Sequence, residues 1–442
     1  MGGMAPSALG HAACTVALRM GLDGSVPAAV RAALDDLGAA PTLAIVEVCA
    51  PGSPLLAGRA LAHAAELIAE EASGCTVIGS SAHGVIGLSH AEPGPRVASV
   101  EMEPAISVWL AHLPGAQPRA FRLATVPGPH GGLAITGLPD LLEGDRLALM
   151  LADPWTLPAD DAMAAFVREG RPLPLAGGLV SGGQRRGDSR LLLDRAVFDN
   201  GAVGVVLGET APISVVVSQG CRPIGDPMTV TRSEGTTVFE LAGRPALERI
   251  RDVITALDAP DQALAVRGLH VGIARDDRVE GTDAADYVIR GLLGVDAATG
   301  AVTVGDEVPI GSVIRLHLRD ADSADADLRE VVRIAGAHAD PAGAYLFTCN
   351  GRGTSMFPSP DHDAEVVSSG LGTLAVGGFF AAGEIGPVGG GNHLHGFTAV
   401  MLVVDRRRSP DAGVEVTRPR THDDAVDAGN LDAELRSLLD PS

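Results

Sequence analysis

The sequence predicts an α/β protein with two pseudo-symmetric halves, each a mixed β-sheet flanked by helices, and three observations support this fold class. A strand, a helix and a second strand follow one another over residues 43–79. The same order returns over residues 344–378. Both units begin with an apolar strand that ends in cysteine, Cys49 in one and Cys349 in the other. Short connections between parallel strands make a right-handed β-α-β unit the default, so we expect an internal duplication.

The first unit is preceded by a helical pattern over residues 25–38, with Pro27 near its start and Gly38 at its end. The unit itself has four segments. In order they are a buried-type strand, a helix, a second strand and a loop, at residues 43–49, 56–71, 75–79 and 80–87.

The second unit repeats this order with nearly the same spacing. Its helix is expected to begin with Ser359 as N-cap and Pro360 in the first position. The loop FFAAGEIG then follows the second strand and aligns with SSAHGVIG of the first unit. From the cysteine to the glycine before this loop is 30 residues in one copy and 29 in the other, which supports two homologous halves.

The remaining predicted elements lie between the two units, and together with the units they define the domain boundaries. Strands are predicted at residues 202–207 and 213–219, a helix at about 237–257, and antiparallel strands at 286–320. We place the first α/β half at residues 11–233, the second at 234–405, and a polar tail with a short terminal amphipathic helix at 406–442.

Composition excludes several classes of function. A net charge of −22 disfavours nucleic acid and anionic membrane surfaces as partners. All 33 basic residues are Arg, so no Schiff-base, P-loop or kinase lysine exists. Five widely spaced cysteines without a C-x-x-C pair, and no convincing signal peptide, favour a reducing cytoplasm and give no reason to expect a metal or a cofactor.

Glu384 is the one acidic residue in the glycine-rich stretch from 370 to 404. Arg352 follows the strand that ends at Cys349, so both side chains lie at the carboxyl ends of neighbouring strands, where α/β sheets bind ligands. Arg352 could grip a carboxylate while Glu384 receives an ammonium group, which together would bind a zwitterion. A direct ion pair between the two is the structural alternative.

Other polar and aromatic residues have competing interpretations. Phe379 and Phe380 could line a ligand pocket or belong to the core. His393 and His395 share one face of an extended segment, but a metal site would need a further ligand, so surface or hydrogen-bonded histidines are the favoured interpretation. An enzyme would use Cys349 as nucleophile, with His395 as base and Asn392 orienting it, although no protease signature is present.

These segments resemble a known family. CNGRG and FFAAGEIGPVGGGNHLHGFTA resemble the C-terminal half of FIST-domain proteins, and GCTVIGSSAHGVIG, GGLVSGG and GCRPIGDP resemble the N-terminal half. The resemblance covers roughly residues 30–405 and implies a bacterial sensory module that binds small ligands such as amino acids. It also implies haem as an alternative ligand, with His395, His393 or His83 on iron. It brings no catalytic mechanism.

We therefore expect a non-enzymatic, cytoplasmic ligand-binding protein that acts in signal transduction through a protein partner. A thiol enzyme that uses Cys349 and a protein-interaction scaffold are the alternatives. The dominant site should lie in the second half, because Val85 stands where the later copy has Glu384. The candidate ligand contacts lie in the loops of both units: Cys349, Asn350, Arg352, Phe379, Phe380, Gly383, Glu384, Gly386, Asn392, His395, Ser80, Ser81 and His83.

Overall fold

The computed structural model describes residues 11–17, 21–91, 94–128, 132–208, 211–274, 287–406 and 416–417. Its helices, α1 to α8 in chain order, are Gly21–Leu37, Pro54–Glu71, Ala159–Ala164, Ala246–Ala256, Ala259–Arg267, Ala321–His338, Gly353–Met356 and His362–Leu371. Its strands, β1 to β29, are His11–Ala17, Leu43–Cys49, Thr76–Ala82, Gly84–Ser89, Arg96–Glu101, Ala105–His112, Arg119–Pro127, Leu133–Thr136, Leu147–Ala152, Val167–Arg168, Arg171–Pro172, Leu175–Leu179, Leu191–Leu193, Ala196–Phe198, Ala202–Leu207, Ile213–Ser218, Cys221–Glu234, Thr237–Leu241, Arg244–Pro245, Leu269–Ala274, Tyr287–Asp296, Ala301–Val304, Val313–Arg319, Pro341–Cys349, Val376–Ala381, Glu384–Val388, Gly391–His395, Ala399–Asp405 and Val416–Thr417.

Three mixed sheets have the same internal order. The first runs β1-β6-β2-β3-β13-β14, the second β16-β28-β24-β25-β4-β5 with β29 beyond β16, and the third β8-β7-β15-β9-β12-β26-β27. In each, a parallel pair lies beside an antiparallel strand, as with β2 and β3 next to β6. The duplication of the β-α-β unit is thus confirmed, and the third sheet repeats the strand order.

Each sheet is completed by a hairpin from another sheet's unit. The hairpin β4–β5 follows β3 in the chain but pairs with β25 of the second sheet. The hairpin β26–β27 follows β25 but pairs with β12 of the third, and β13–β14 follows β12 but pairs with β3 of the first. The exchange is cyclic, so the halves of the chain are interleaved. The expected boundary at residue 233 falls inside β17.

A glycine at the same place in each parallel pair marks the equivalence of the three sheets. Gly79, Gly378 and Gly177 lie opposite residues of β2, β24 and β9. A Cβ atom at these positions would come within 2.1, 2.2 and 1.9 Å of the facing carbonyl oxygen. Only glycine allows such close approach of two backbones.

The three sheets pack their inner faces on one shared core. Trp109 of the first sheet contacts Tyr345 of the second edge to face, with ring centroids 5.4 Å apart, at its centre. Helices cover the outer faces; on α2 the buried positions Ala57, Ala60, Leu61, Ala64 and Ile68 follow helical spacing. Strand β2 is buried throughout because both of its faces are covered.

A fourth sheet lies in the second half, in the order β17-β23-β20-β21-β22-β18-β19. The additional pairing of β17 with β18 closes it into a small barrel. Leucine, isoleucine and valine fill its interior against α4 and α5. Along β23 the apolar Leu316 and Leu318 point inward, so Arg315, His317 and Arg319 take the opposite face.

The predicted fold class is confirmed, and several local predictions are wrong. The expected loops at residues 80–87 and 379–386 are largely strand, because these segments cross from one sheet into the next. Residues 237–241 form a barrel strand before α4 begins. Helix α8 starts at His362, after Asp361 in a left-handed conformation, and not at Ser359. The terminal helix expected in the tail lies outside the described residues.

Candidate functional site

Arg352 binds Asp363 in place of the expected Glu384. Its Nε donates to Asp363 Oδ2 at 2.7 Å and its Nη2 to Oδ1 at 2.9 Å. Both side chains are buried, at 0% and 5% exposure. A direct pairing of Arg352 with Glu384 is therefore wrong, and the guanidinium of Arg352 is already occupied by a carboxylate.

Further donors surround the Asp363 carboxylate. Thr348 Oγ1 donates to Oδ2 at 2.5 Å, and His362 Nδ1 lies 3.0 Å from Oδ1. Although burial acts to raise it, the charge of Arg352 and these hydrogen bonds hold the pKa of Asp363 below its usual range. The cluster fixes the start of α8 against the end of β24.

Glu384 is fully buried and has a different neighbour. Its Oε2 accepts the Thr398 N–H at 3.1 Å, while Oε1 has no hydrogen-bond partner in the described structure. The Cys349 thiol lies beside the carboxyl group. Burial raises the pKa of Glu384 well above its usual range. The hydrogen bond from the Thr398 N–H and the charge of Arg352 act to lower this pKa, but the effect of burial is larger. Burial and Glu384 likewise raise the pKa of Cys349.

The two predicted aromatic contacts belong to cores on opposite faces of β25. Phe379 is 0% exposed and packs edge to face on Phe347 at 5.8 Å. Phe380 is 2% exposed and lies in the core beneath α6 and α8. Both side chains pack in the hydrophobic core.

The predicted residues of the first unit lie where the sheets exchange strands. Ser80 Oγ donates to the buried Glu47 at 2.5 Å, and Ser81 Oγ accepts the Arg190 N–H at 2.9 Å. The His83 N–H donates to Ser181 Oγ at 2.7 Å. The first of these hydrogen bonds lies within the first unit, and the other two join it to the third. Glu47, whose pKa burial raises to about 8 against the hydrogen bonds from Ser80 and Tyr345 that lower it, was not singled out from the sequence.

The other predicted positions also make structural contacts. Asn392 bonds to the backbone of β12, with Oδ1 accepting the Leu175 N–H at 2.8 Å. His395 is 4% exposed, its Nε2 lies 3.1 Å from the Gly386 carbonyl, and burial lowers its pKa to about 3. The Gly383 carbonyl accepts the Leu179 N–H at 2.8 Å, and the Asn350 N–H donates to Ala381. As ligand contacts these residues remain predictions.

A cleft of about 400 Å³ opens beside this buried cluster, and we call it the Arg319 cleft. The barrel contributes Leu269, His270, Gly291, Leu292 and Arg319. The helices contribute Leu264 of α5, Ala321 of α6, and Ser355 and Met356 of α7, and the connecting segments contribute Gly268 and Phe397. Cys349 and the Phe397 ring both flank Gly351, where an added Cβ would be 2.7 Å from the ring and 3.5 Å from the sulfur. The Arg319 cleft thus lies in front of the buried Cys349–Glu384 pair.

Arg319 carries the charge of the cleft. Its Nη2 donates to the carbonyl oxygens of Gly351 and, at 3.3 Å, Ser355. Among the described residues, no carboxylate lies within ion-pair distance of its guanidinium. Ala321, the first residue of α6, also lines the cleft. The site is suited to an anion.

Phe397 and His270 form the aromatic part of the cleft. The Arg319 guanidinium carbon lies 4.5 Å from the centre of the Phe397 ring, and the His270 ring meets Phe397 edge on at 4.8 Å. Phe397 has φ of 60°, a left-handed conformation that costs energy for a bulky residue. His270 is 7% exposed, and its Nδ1 has no hydrogen-bond partner in the described structure.

Sequence reasoning did not select Arg319 or His270. The signal lies in the strand RLHLR (315–319), where polar residues alternate with leucine and so share one face of a half-buried strand. No group of three or more His, Cys, Asp or Glu side chains in the described ranges could hold a metal ion. None of the helices in those ranges combines the length and the apolar character that a bilayer crossing requires.

The chain is thus a mixed α/β protein of three interleaved sheets and a small barrel. The FIST N domain matches residues 52–244 and the FIST C domain matches residues 246–387. The chain therefore belongs to the FIST family, whose domains are sensory domains of signal transduction.

Similar proteins come from mycobacteria. Uncharacterized protein MT0656 of Mycobacterium tuberculosis (strain CDC 1551 / Oshkosh) is 44% identical over 332 residues, which cover 74% of this chain and 84% of the relative. Uncharacterized protein Mb0898c of Mycobacterium bovis (strain ATCC BAA-935 / AF2122/97) is 45% identical over 309 residues, covering 69% of this chain and 79% of the relative.

Proposed function

We propose that this FIST protein is a sensory protein that binds a small organic anion in the Arg319 cleft and passes the signal to a protein partner. One observation carries the proposal. Arg319 presents a half-buried guanidinium to a concave site without a carboxylate partner among the described residues. An unpaired charge in such a place costs stability, so a bound anion supplies the missing interaction.

The position of the cleft supports a sensory role. It lies where the barrel, the start of α6 and the loop that contains α7 meet. A ligand there contacts the barrel as well as α6, α7 and Phe397, so its binding can change how these elements sit against each other. The amino acid expected from the sequence is one candidate, because its α-carboxylate meets the requirement for an anion.

A thermal-shift screen of amino acids, short carboxylic acids, sugars and amines tests the proposal. A ligand that binds only the folded state stabilises it by about 2.7 kcal/mol at 100 times its Kd. We expect anionic compounds to raise Tm in the wild type and in the exposed control Arg333→Met, and not in Arg319→Met. A screen without any shift, or shifts retained by Arg319→Met, would refute the assignment.

A further inference from the structure

We infer that the ligand of the Arg319 cleft is a monocarboxylate with an apolar, preferably aromatic, body and no ammonium group. The inference rests on the proposed function and narrows its ligand class. It differs from the zwitterion that the sequence suggested, because the acidic residue expected to receive an ammonium group, Glu384, is fully buried and bonds to the Thr398 N–H.

The charges around the cleft favour one negative charge and oppose a positive one. Among its described lining residues, Arg319 is the single formally charged side chain. Its Nη2 is held by two backbone carbonyls, which leaves Nε and Nη1 without an acceptor among the described residues. Nε and Nη1 point to different sides of the guanidinium, so a ligand carboxylate can accept a charge-assisted hydrogen bond from either of them.

His270 supplies the second polar contact. Its buried Nδ1 is the kind of unpaired group that a ligand oxygen would satisfy, and its ring lies in the same lining as Arg319. The nearby guanidinium repels a second cation at this place, so an ammonium group would be desolvated beside Arg319 without a counter-charge. A neutral His270 that donates to a carboxylate has no such conflict.

The rest of the lining determines the body of the ligand. Leu264, Leu269, Leu292 and Met356 are apolar, and the Phe397 ring stands between Arg319 and His270. An aromatic residue held at φ of 60° beside a cleft is the kind of strained position that structures keep at functional sites. A flat or branched apolar group can pack on this ring while its carboxylate reaches Arg319.

Matched ligands separate the possibilities. Hydrocinnamate is phenylalanine without its ammonium group, isocaproate is leucine without it, and phenethylamine is phenylalanine without its carboxylate. We expect titration calorimetry on the full chain to show hydrocinnamate binding at least about tenfold tighter than L-phenylalanine, the same order for isocaproate and L-leucine, and no binding of phenethylamine.

Variants locate the contact. Arg319→Met should abolish hydrocinnamate binding, Arg319→Lys should keep part of it, and His270→Leu should weaken it about tenfold or more. The exposed Arg333→Met should bind as the wild type does. Melting curves and circular dichroism without ligand establish that each variant is folded.

Two results overturn the ligand class: amino acids that bind as tightly as their desamino partners, or no binding of either carboxylate. After either result the proposed function still stands if at least one compound of the wider screen binds the wild type and fails to bind Arg319→Met. It fails separately if binding of every compound is independent of Arg319.

Discussion

Arg352 and Asp363, 11 residues apart in the chain, form a doubly hydrogen-bonded ion pair in which neither side chain is more than 5% exposed. The pair gives the one arginine of CNGRG a structural role. It links the end of β24 to the start of α8, and Arg352 Nη1 also donates to the Phe397 carbonyl at 3.3 Å. The backbone beneath the Arg319 cleft is thereby held in place.

Asp363→Ala should destabilise the fold by about 3–5 kcal/mol, because it leaves the buried guanidinium of Arg352 without a counter-charge. Urea unfolding followed by circular dichroism measures the change. Glu330→Ala is the control: it breaks the exposed Glu330–Arg333 pair and should cost at most about 1 kcal/mol. Equal effects of the two substitutions would contradict the structural role of Arg352.

Glu47 should make stability fall as pH rises. Burial raises the pKa of Glu47 to about 8 from the model-compound value of 4.5, so the folded state holds a proton that the unfolded state releases. The stabilising contribution is complete below about pH 4.5 and is lost as pH approaches 8, with a slope of about 1.4 kcal/mol per pH unit.

Glu47→Gln tests this slope, since the amide cannot release the proton. Unfolding free energies of the variant should decline less steeply than those of the wild type between about pH 5 and 8, by about 1.4 kcal/mol per unit. Parallel curves for the two proteins would show that Glu47 is already ionised in the folded state.

Cys349 should be inert in the folded protein. Burial and the neighbouring Glu384 raise the pKa of its thiol, and the thiolate is the reactive form. Iodoacetamide at about pH 8 should leave Cys349 unmodified in the native state and modify it fully in urea, as peptide mass spectrometry would detect. Rapid native labelling would revive the thiol-enzyme alternative.

The three equivalent glycines should be similarly intolerant of a side chain. Gly79→Ala, Gly177→Ala and Gly378→Ala each place Cβ within 2.2 Å of a carbonyl oxygen, so each should cost about 1–3 kcal/mol or more. Gly294→Ala, where nothing lies within 4 Å, is the matched control and should be nearly neutral. Thermal unfolding of the four variants gives the comparison.

The sequence was sufficient for the repeated unit because its signals are local. The strands 43–49 and 202–207 were predicted at the observed bounds, since continuous apolar runs between turns define buried strands. The sequence does not predict the third repeat, because its helix, α3, has only 6 residues and its strand β9 ends at Ala152 without a cysteine. The segments 80–87 and 379–386, which the sequence predicts as loops, form strands because their pairing partners lie in other units.

The site depended on distances that spacing does not encode. Arg352 and Glu384 follow neighbouring strands, and nothing in their spacing showed that Asp363 lies closer to the guanidinium. Arg319 belongs to the barrel, inserted between the repeats, and meets Phe397 only in the folded chain. The sequence predicts a dominant site in the second half, but it does not show which residues face the Arg319 cleft.

The hydrogen bond from Tyr345 to Glu47 spans 298 residues of the chain, and its length is 3.0 Å. During synthesis, the amino-terminal unit must therefore leave the ribosome before Tyr345, whose hydroxyl group donates to the buried Glu47, has been added to the chain. Strand β4 likewise lacks its pairing partner β25 until the second half has been synthesised. The exposed edge, and a buried acid that still lacks one of its two hydroxyl donors, tie the early unit to the last one to be translated, so a chain that stops early leaves a sheet open to association with other chains.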